Sequence, residues 1–173
     1  MILVTVGTAR GGFDALVEAA DRAAARLELE GLAQIGSGAV RPRRLAWRRF
    51  LPHAELQEIL RRRPLLITHG GMGLLGEAMR AGCRIIAVPR RGPTTAAHPS
   101  NDQRAFLEAL AGSFPITLCP EPARLSEVLE RVHGERSAPI RYMLGSDVPR
   151  IVVDFLASGL PGRAGFTDAP VVP

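Results

Sequence analysis

Three apolar runs in this chain each end in glycine, and that punctuation constrains the fold more than any other feature. Residues 2–6 (Ile-Leu-Val-Thr-Val) stop at Gly7-Thr8. Residues 32–35 stop at Gly36-Ser37-Gly38. Residues 64–68 stop at His69-Gly70-Gly71. Each run has the length and β-branched content of a buried strand, and the first and third lead into helical patterns. The first helix starts near Phe13 and carries Leu16, Val17, Ala20 and Ala24 on one face. Residues 74–81 form another, with Gly82 as its stop. Further strands are predicted at 45–50 (with Trp47 inside), 84–88 (closed by Pro89) and 114–118. Helices are predicted at 54–60, through Phe106 and Leu110 with Ser100 or Asn101 as cap, and at 121–132. Only the step from the second strand to the third lacks an obvious helix. Strands alternating with helices predict an α/β, Rossmann-like parallel sheet with helices on both faces, because parallel neighbours need long crossovers. Ligands of such sheets bind at the carboxyl ends of the strands, near the switch in strand order. All three glycine loops fall at such ends.

The 173 residues suit one domain with a real core; 46% are apolar and 23% charged. The formal net charge is +5, and all 22 basic residues are arginine. That balance fits an anionic partner: nucleotide phosphates, acidic lipid or nucleic acid. No positively charged stretch precedes an apolar one at the N-terminus, and no apolar run approaches the roughly 18–20 residues that span a bilayer. The expected location is therefore cytoplasmic, or the inner face of a membrane through a partner. Cys83 and Cys119 lie beside predicted strands, as buried reduced thiols do, and two cysteines make no zinc pattern. The expected organisation is a ligand-binding domain over 1–133 and a Gly- and Pro-richer tail over 134–173. Within the tail, Val148, Ile151, Val152, Phe155 and Leu156 follow a helix face near 147–158. That face suits packing on the chain's own core, or docking on a partner or membrane.

The segment Thr68-His69-Gly70-Gly71-Met72-Gly73-Leu74-Leu75-Gly76-Glu77 is the strongest candidate site. Glycines let the backbone approach a ligand, and free N–H groups at a helix start point at an anion such as a diphosphate. Glu77 lies four residues beyond Gly73, one turn into the helix. A carboxylate there can accept hydrogen bonds from the vicinal hydroxyls of a ribose. The alternative is a tight turn followed by a solvated glutamate. No G-x-G-x-x-G joins the first strand to its helix, and a G-x-x-x-x-G-K-[ST] loop is impossible without lysine. This argues against a dinucleotide oxidoreductase and a P-loop NTPase.

A collinear set of motifs adds to this. It comprises Val4-Thr5-Val6-Gly7-Thr8 with Phe13-Asp14-x-Leu16-Val17; Gln34-Ile35-Gly36; Phe50 before the fourth strand; the His69 loop with Glu77-Ala78; Val88-Pro89-Arg90; and His98 through Gln103. The set resembles the C-terminal domain of glycosyltransferase family 28. In particular it resembles stand-alone donor-binding subunits, such as PssE-type exopolysaccharide proteins and the small subunit of the two-part N-glycan UDP-GlcNAc transferase, and it is similar to the C-terminal half of MurG. The resemblance spans about residues 1–132 and implies one half of a GT-B glycosyltransferase. It assigns Glu77 to the ribose of a UDP-sugar. It puts the backbone of Gly71, Met72 and Gly73 near the diphosphate, with Gly70 in the same substrate-binding loop, Gly7 and Thr8 on the phosphate side, and Gln103 near the donor sugar with Asn101 and Asp102 beside it. His69 matches the family histidine, either in the site or ordering the turn. Arg90 and Arg91 either face the phosphates or are solvated.

The resemblance implies transfer of a hexosamine or hexose from a UDP-sugar to a lipid-linked acceptor. No cofactor beyond the donor substrate is expected. No Asp-x-Asp motif appears, so metal-independent chemistry is the expectation, and no general base is evident. The chain starts at the donor-binding half, so a membrane-attached partner subunit is expected to bind the acceptor, with 148–156 as its candidate contact. Three positions depart from the family pattern. Leu74 replaces a small hydroxyl residue, Ala97 a glutamate and Asp102 a histidine. They favour an alternative, a non-catalytic nucleotide-sugar-binding regulatory subunit. A nucleic-acid partner, suggested by Arg41, Arg43, Arg44, Arg48, Arg49 and Arg61 to Arg63, is not expected. Little aromatic interleaving accompanies them, and charge runs are usually solvated faces.

Overall fold

A computed structural model of the chain describes residues 1–8, 12–92 and 102–135, together with 150, 152, 153, 156 and 157. The chain divides into two compact units, Met1–Tyr142 and Met143–Pro173. The first unit runs β1 (Ile2–Thr5), α1 (Asp14–Arg26), β2 (Gly31–Gln34), β3 (Ala46–Arg48), α2 (His53–Arg61), β4 (Leu65–Thr68), α3 (Met72–Ala81), β5 (Ile85–Ala87), α4 (Arg104–Ser113), β6 (Ile116–Leu118) and α5 (Leu125–Gly134). The six strands form one sheet in the order β3-β2-β1-β4-β5-β6, and every pairing is parallel. This is the Rossmann-like sheet expected from the alternation of strands and helices.

Successive strand side chains serve opposite faces. Val4, Ile67 and Ile86 join a core with Leu16, Val17, Ala20 and Ala24 of α1 and Leu125, Leu129 and Val132 of α5. Leu3, Leu66 and Ile85 point the other way, toward Leu60 of α2, Leu75 and Met79 of α3, and Leu107 of α4. Burial on both faces is why β1 and β4 read as unbroken apolar runs rather than alternating ones. β3 lies at the sheet edge and is exposed, Trp47 included. Gly82 ends α3 in the left-handed region (φ 77°), a conformation only glycine adopts without strain.

The crossover from β2 to β3 has no helix. Two aspartates of α1 hold it instead. Asp21 accepts the backbone N–H groups of Arg43, Arg44 and Leu45, each at 2.9 Å, and Asp14 accepts that of Ala39 at 3.1 Å. The start of α4 corrects one expectation. The helix begins at Arg104, and Asp102 supports its first turn by accepting the Arg104 N–H at 3.0 Å. Ser100 and Asn101, expected as caps, lie outside the described residues. The last strand is shorter than expected, and the last helix starts later because residues 122–124 form a 3-10 turn before α5.

Most of the 147–158 segment lies outside the described residues. In the second unit, Val152 and Leu156 are helical and exposed. The expected boundary at 133 falls at the end of α5, inside the first unit.

Candidate functional site

The chain passes from β1 to β2 on one side and to β4 on the other, so strand order reverses between β1 and β4. Their last residues, Thr5 and Thr68, are register partners and both buried. The Thr68 hydroxyl donates to the Thr5 carbonyl at 3.2 Å and lies 2.9 Å from the Thr5 hydroxyl. This buried link fixes the spacing of the two loops that follow, which flank the crevice where sheets of this kind bind ligands.

On the β1 side stands Gly7, at φ 70°. A Cβ built there would lie 2.7 Å from Nε2 of His69, which follows β4. The other ring nitrogen, Nδ1, is 3.3 Å from both ends of the Gln103 amide. That amide is a junction. Its oxygen accepts the N–H of Gly70 at 2.9 Å and of Arg90 at 3.2 Å, while the Gln103 N–H donates to the Arg90 carbonyl at 3.0 Å. The loops after β4 and β5 and the start of α4 are thereby tied together. Burial pushes the His69 imidazole below its ordinary value of 6.5, and the Arg90 charge lowers it further against the opposing hydrogen bond to Gln103. The ring is therefore neutral at neutral pH.

α3 starts in the same place. Its N-cap, Gly71, offers no side chain. The amides of Met72, Gly73 and Leu74 are first-turn donors without intrahelical acceptors, at the positive end of the helix dipole. The start is open: Met72 is exposed, and nothing lies within 4 Å of a Cβ built on Gly73. Glu77 sits one turn further along the face of Gly73. Its side chain is 25% exposed and stands 3.9 Å from Nε2 of His53, at the start of α2. A groove between α2 and α3 runs past Glu77, lined by Gln57, Arg61 and Arg80.

The remaining residues singled out in the sequence separate. Thr8 is exposed just beyond Gly7. Arg90 points into the crevice, where it donates to the Val6 carbonyl at 3.2 Å and lies over the Phe13 ring at 5.3 Å. Arg91 turns away and donates to the Pro120 carbonyl at 2.9 Å. Leu74 is half-buried and packs against the core beneath α3. Asp102 is held by Arg104, whose hydrogen bonds lower its carboxyl to about 2. Ala97, His98 and Asn101 lie outside the described residues. The arginines near β3 are engaged locally: Arg44 on the Glu28 and Leu29 carbonyls, Arg48 on Glu55, Arg49 on the Gly36 and Gly38 carbonyls, and Arg41 over Trp47.

His53 escaped the sequence reading, and Phe13 and Gln34 entered it only as parts of motifs, without a role in the site. Gln34 donates to the Gly7 carbonyl at 3.4 Å and accepts from the Leu51 N–H at 3.4 Å. It carried a usable signal, since a polar residue in an apolar strand is buried only when bonded. His53 and Phe13 reach the site only through tertiary packing. Among the described residues, no three His, Cys, Asp or Glu side chains cluster as metal ligands, and no helix is long and apolar enough to cross a membrane. The crevice thus offers backbone donors for an anion, a carboxylate one turn along α3 for hydroxyls, and a neutral imidazole beside Gly7.

Residues 1–148 match the family model of the glycosyltransferase family 28 C-terminal domain. No curated protein matches the chain in sequence. Among solved structures it is similar to CalG4, the calicheamicin glycosyltransferase, at 23% identity over 94% of this chain and 40% of that one, with a TM-score of 0.55. It is also similar to the glycotransferase of kitacinnamycin, at 18% identity over 78% of this chain and 35% of that one, with a TM-score of 0.52. Both are likenesses of fold, and the chain spans 40% or less of either structure's length.

Proposed function

The chain belongs to the glycosyltransferase family 28 C-terminal domain family, and from that premise we propose that it is the donor-binding subunit of a two-part glycosyltransferase. The observation that carries this is the open, uncapped start of α3 at the reversal of strand order, with Glu77 one turn along the same face. A UDP-sugar fits that pair. Its diphosphate lies against the first-turn amides of α3, and its ribose hydroxyls bond to Glu77. In transfer, the acceptor oxygen attacks the anomeric carbon. The bond from that carbon to the diphosphate breaks, and UDP leaves with the electron pair. The α3 amides and helix dipole stabilise the charge that grows on the leaving group. The acceptor, its lipid anchor and the base that takes its proton belong to a membrane-attached partner subunit, which the 148–156 segment contacts. The departure at Leu74 removes a hydroxyl that could bind phosphate and leaves a half-buried side chain packed against the core beneath α3. Grip on phosphate then rests on the backbone.

A titration of the chain with UDP, followed through its backbone amides by NMR, tests this. The amides of Gly71 to Leu74 and of Gly7 should move first and furthest. Shifts confined to other parts of the sheet would remove the proposal. The regulatory alternative is separated by adding the partner subunit and a lipid acceptor: donor binding with no transfer would favour it.

A further inference from the structure

The Gln103 amide has a fixed orientation. Two backbone N–H groups, Gly70 at 2.9 Å and Arg90 at 3.2 Å, approach the same side-chain atom, which must be the oxygen. With both its lone pairs taken, the oxygen has no good site left for a third donor. The amide nitrogen, 3.3 Å from Nδ1 of His69, then donates to that ring nitrogen. A neutral imidazole that accepts at Nδ1 carries its proton on Nε2. Nε2 is the atom beside Gly7. Among the described residues it has no hydrogen-bond partner, and His69 as a whole is half-buried.

We propose that Gln103 is a positioning residue that acts on the donor through His69, holding the imidazole as the Nε2–H tautomer with its proton facing the crevice beside Gly7. This rests on the function proposed above and deepens it. The resemblance puts Gln103 near the sugar; its second amide N–H leaves that contact open, and the positioning of His69 is a separate role. His69 would then supply a neutral side-chain donor beside the backbone N–H groups of the crevice, where an anionic oxygen of the donor can receive it. Glycine at position 7 leaves room for that contact, since a Cβ would fill the space in front of Nε2.

The two amide functions can be separated by substitution. Gln103→Glu keeps an oxygen for the Gly70 and Arg90 N–H groups but cannot donate to Nδ1. It should preserve the fold and move the His69 proton to Nδ1, or charge the ring. Gln103→Leu removes both functions and serves as the stronger perturbation. Histidine-selective 15N spectra of the full chain report the tautomer, and calorimetry reports the affinities for UDP and UDP-GlcNAc. Wild type should show Nε2–H. Gln103→Glu should lose that tautomer and weaken both ligands in parallel, by about tenfold for one lost hydrogen bond to a charged group. An unchanged His69 tautomer in Gln103→Glu would overturn the positioning role. So would weakened UDP-GlcNAc with undiminished UDP, because that split marks direct contact with the sugar. A wild-type chain that binds no UDP would overturn the proposed function instead, and the His69 spectra would still decide the positioning.

Discussion

Nε2 of His69 stands 2.7 Å from where a Cβ on Gly7 would fall, so the ends of β1 and β4 are fitted to each other through one imidazole and one missing side chain. The fit predicts the outcome of a minimal change. Gly7→Ala puts a methyl against the ring in a backbone conformation (φ 70°) that alanine adopts at a cost of roughly 1–2 kcal/mol. With displacement of His69 added, denaturant unfolding should show a loss of about 2–3 kcal/mol. UDP affinity should fall with it.

The same imidazole predicts a pH dependence. Its folded-state value lies below the ordinary 6.5, chiefly through burial and then through the Arg90 charge. The unfolded chain therefore binds more protons in the interval beneath 6.5. Stability from this group is complete above about 6.5 and is lost as pH falls through the folded value. Denaturant midpoints measured between pH 7.5 and 5 should fall in wild type and fall less in His69→Phe. Arg90→Gln should bring the His69 titration closer to 6.5, as followed by its ring proton shifts.

Asp21 offers a contrast between fold and site. Its carboxylate holds three consecutive backbone N–H groups of the helix-free crossover and touches nothing in the crevice. Asp21→Ala should cost roughly 1–3 kcal/mol in denaturant unfolding, while UDP affinity in the folded protein stays at the wild-type value.

These residues also mark how far the sequence could be read. The sheet, its parallel order and both apolar faces were legible because each strand is a short apolar run and each helix face repeats at helical spacing. Gly82 and the glycine loops announced themselves by conformational need. The crossover to β3 was visible only as a missing helix, since Asp21 reaches its partners across twenty-odd residues of chain. The candidate site's geometry was legible where neighbours are local in sequence, as in the helix start from Gly71 to Glu77. It was not where contacts are distant: Gln103 binds Gly70 from 33 positions away, and His53 meets Glu77 from the start of another helix. The start of α4 was not legible because Ser, Asn and Asp in a row are all competent caps, whereas the N-cap is Gln103 and Asp102 supports the first turn from just outside it.

The central claim is that the start of α3 and Glu77 together hold a nucleotide. Calorimetric titration of the folded Glu77→Ala protein with UDP and with inorganic pyrophosphate tests it most directly. UDP affinity should fall by about 1.5–3 kcal/mol, the worth of hydrogen bonds to a charged group, while pyrophosphate, which has no ribose, should bind as it does to wild type. Undiminished UDP affinity in that variant would contradict the account.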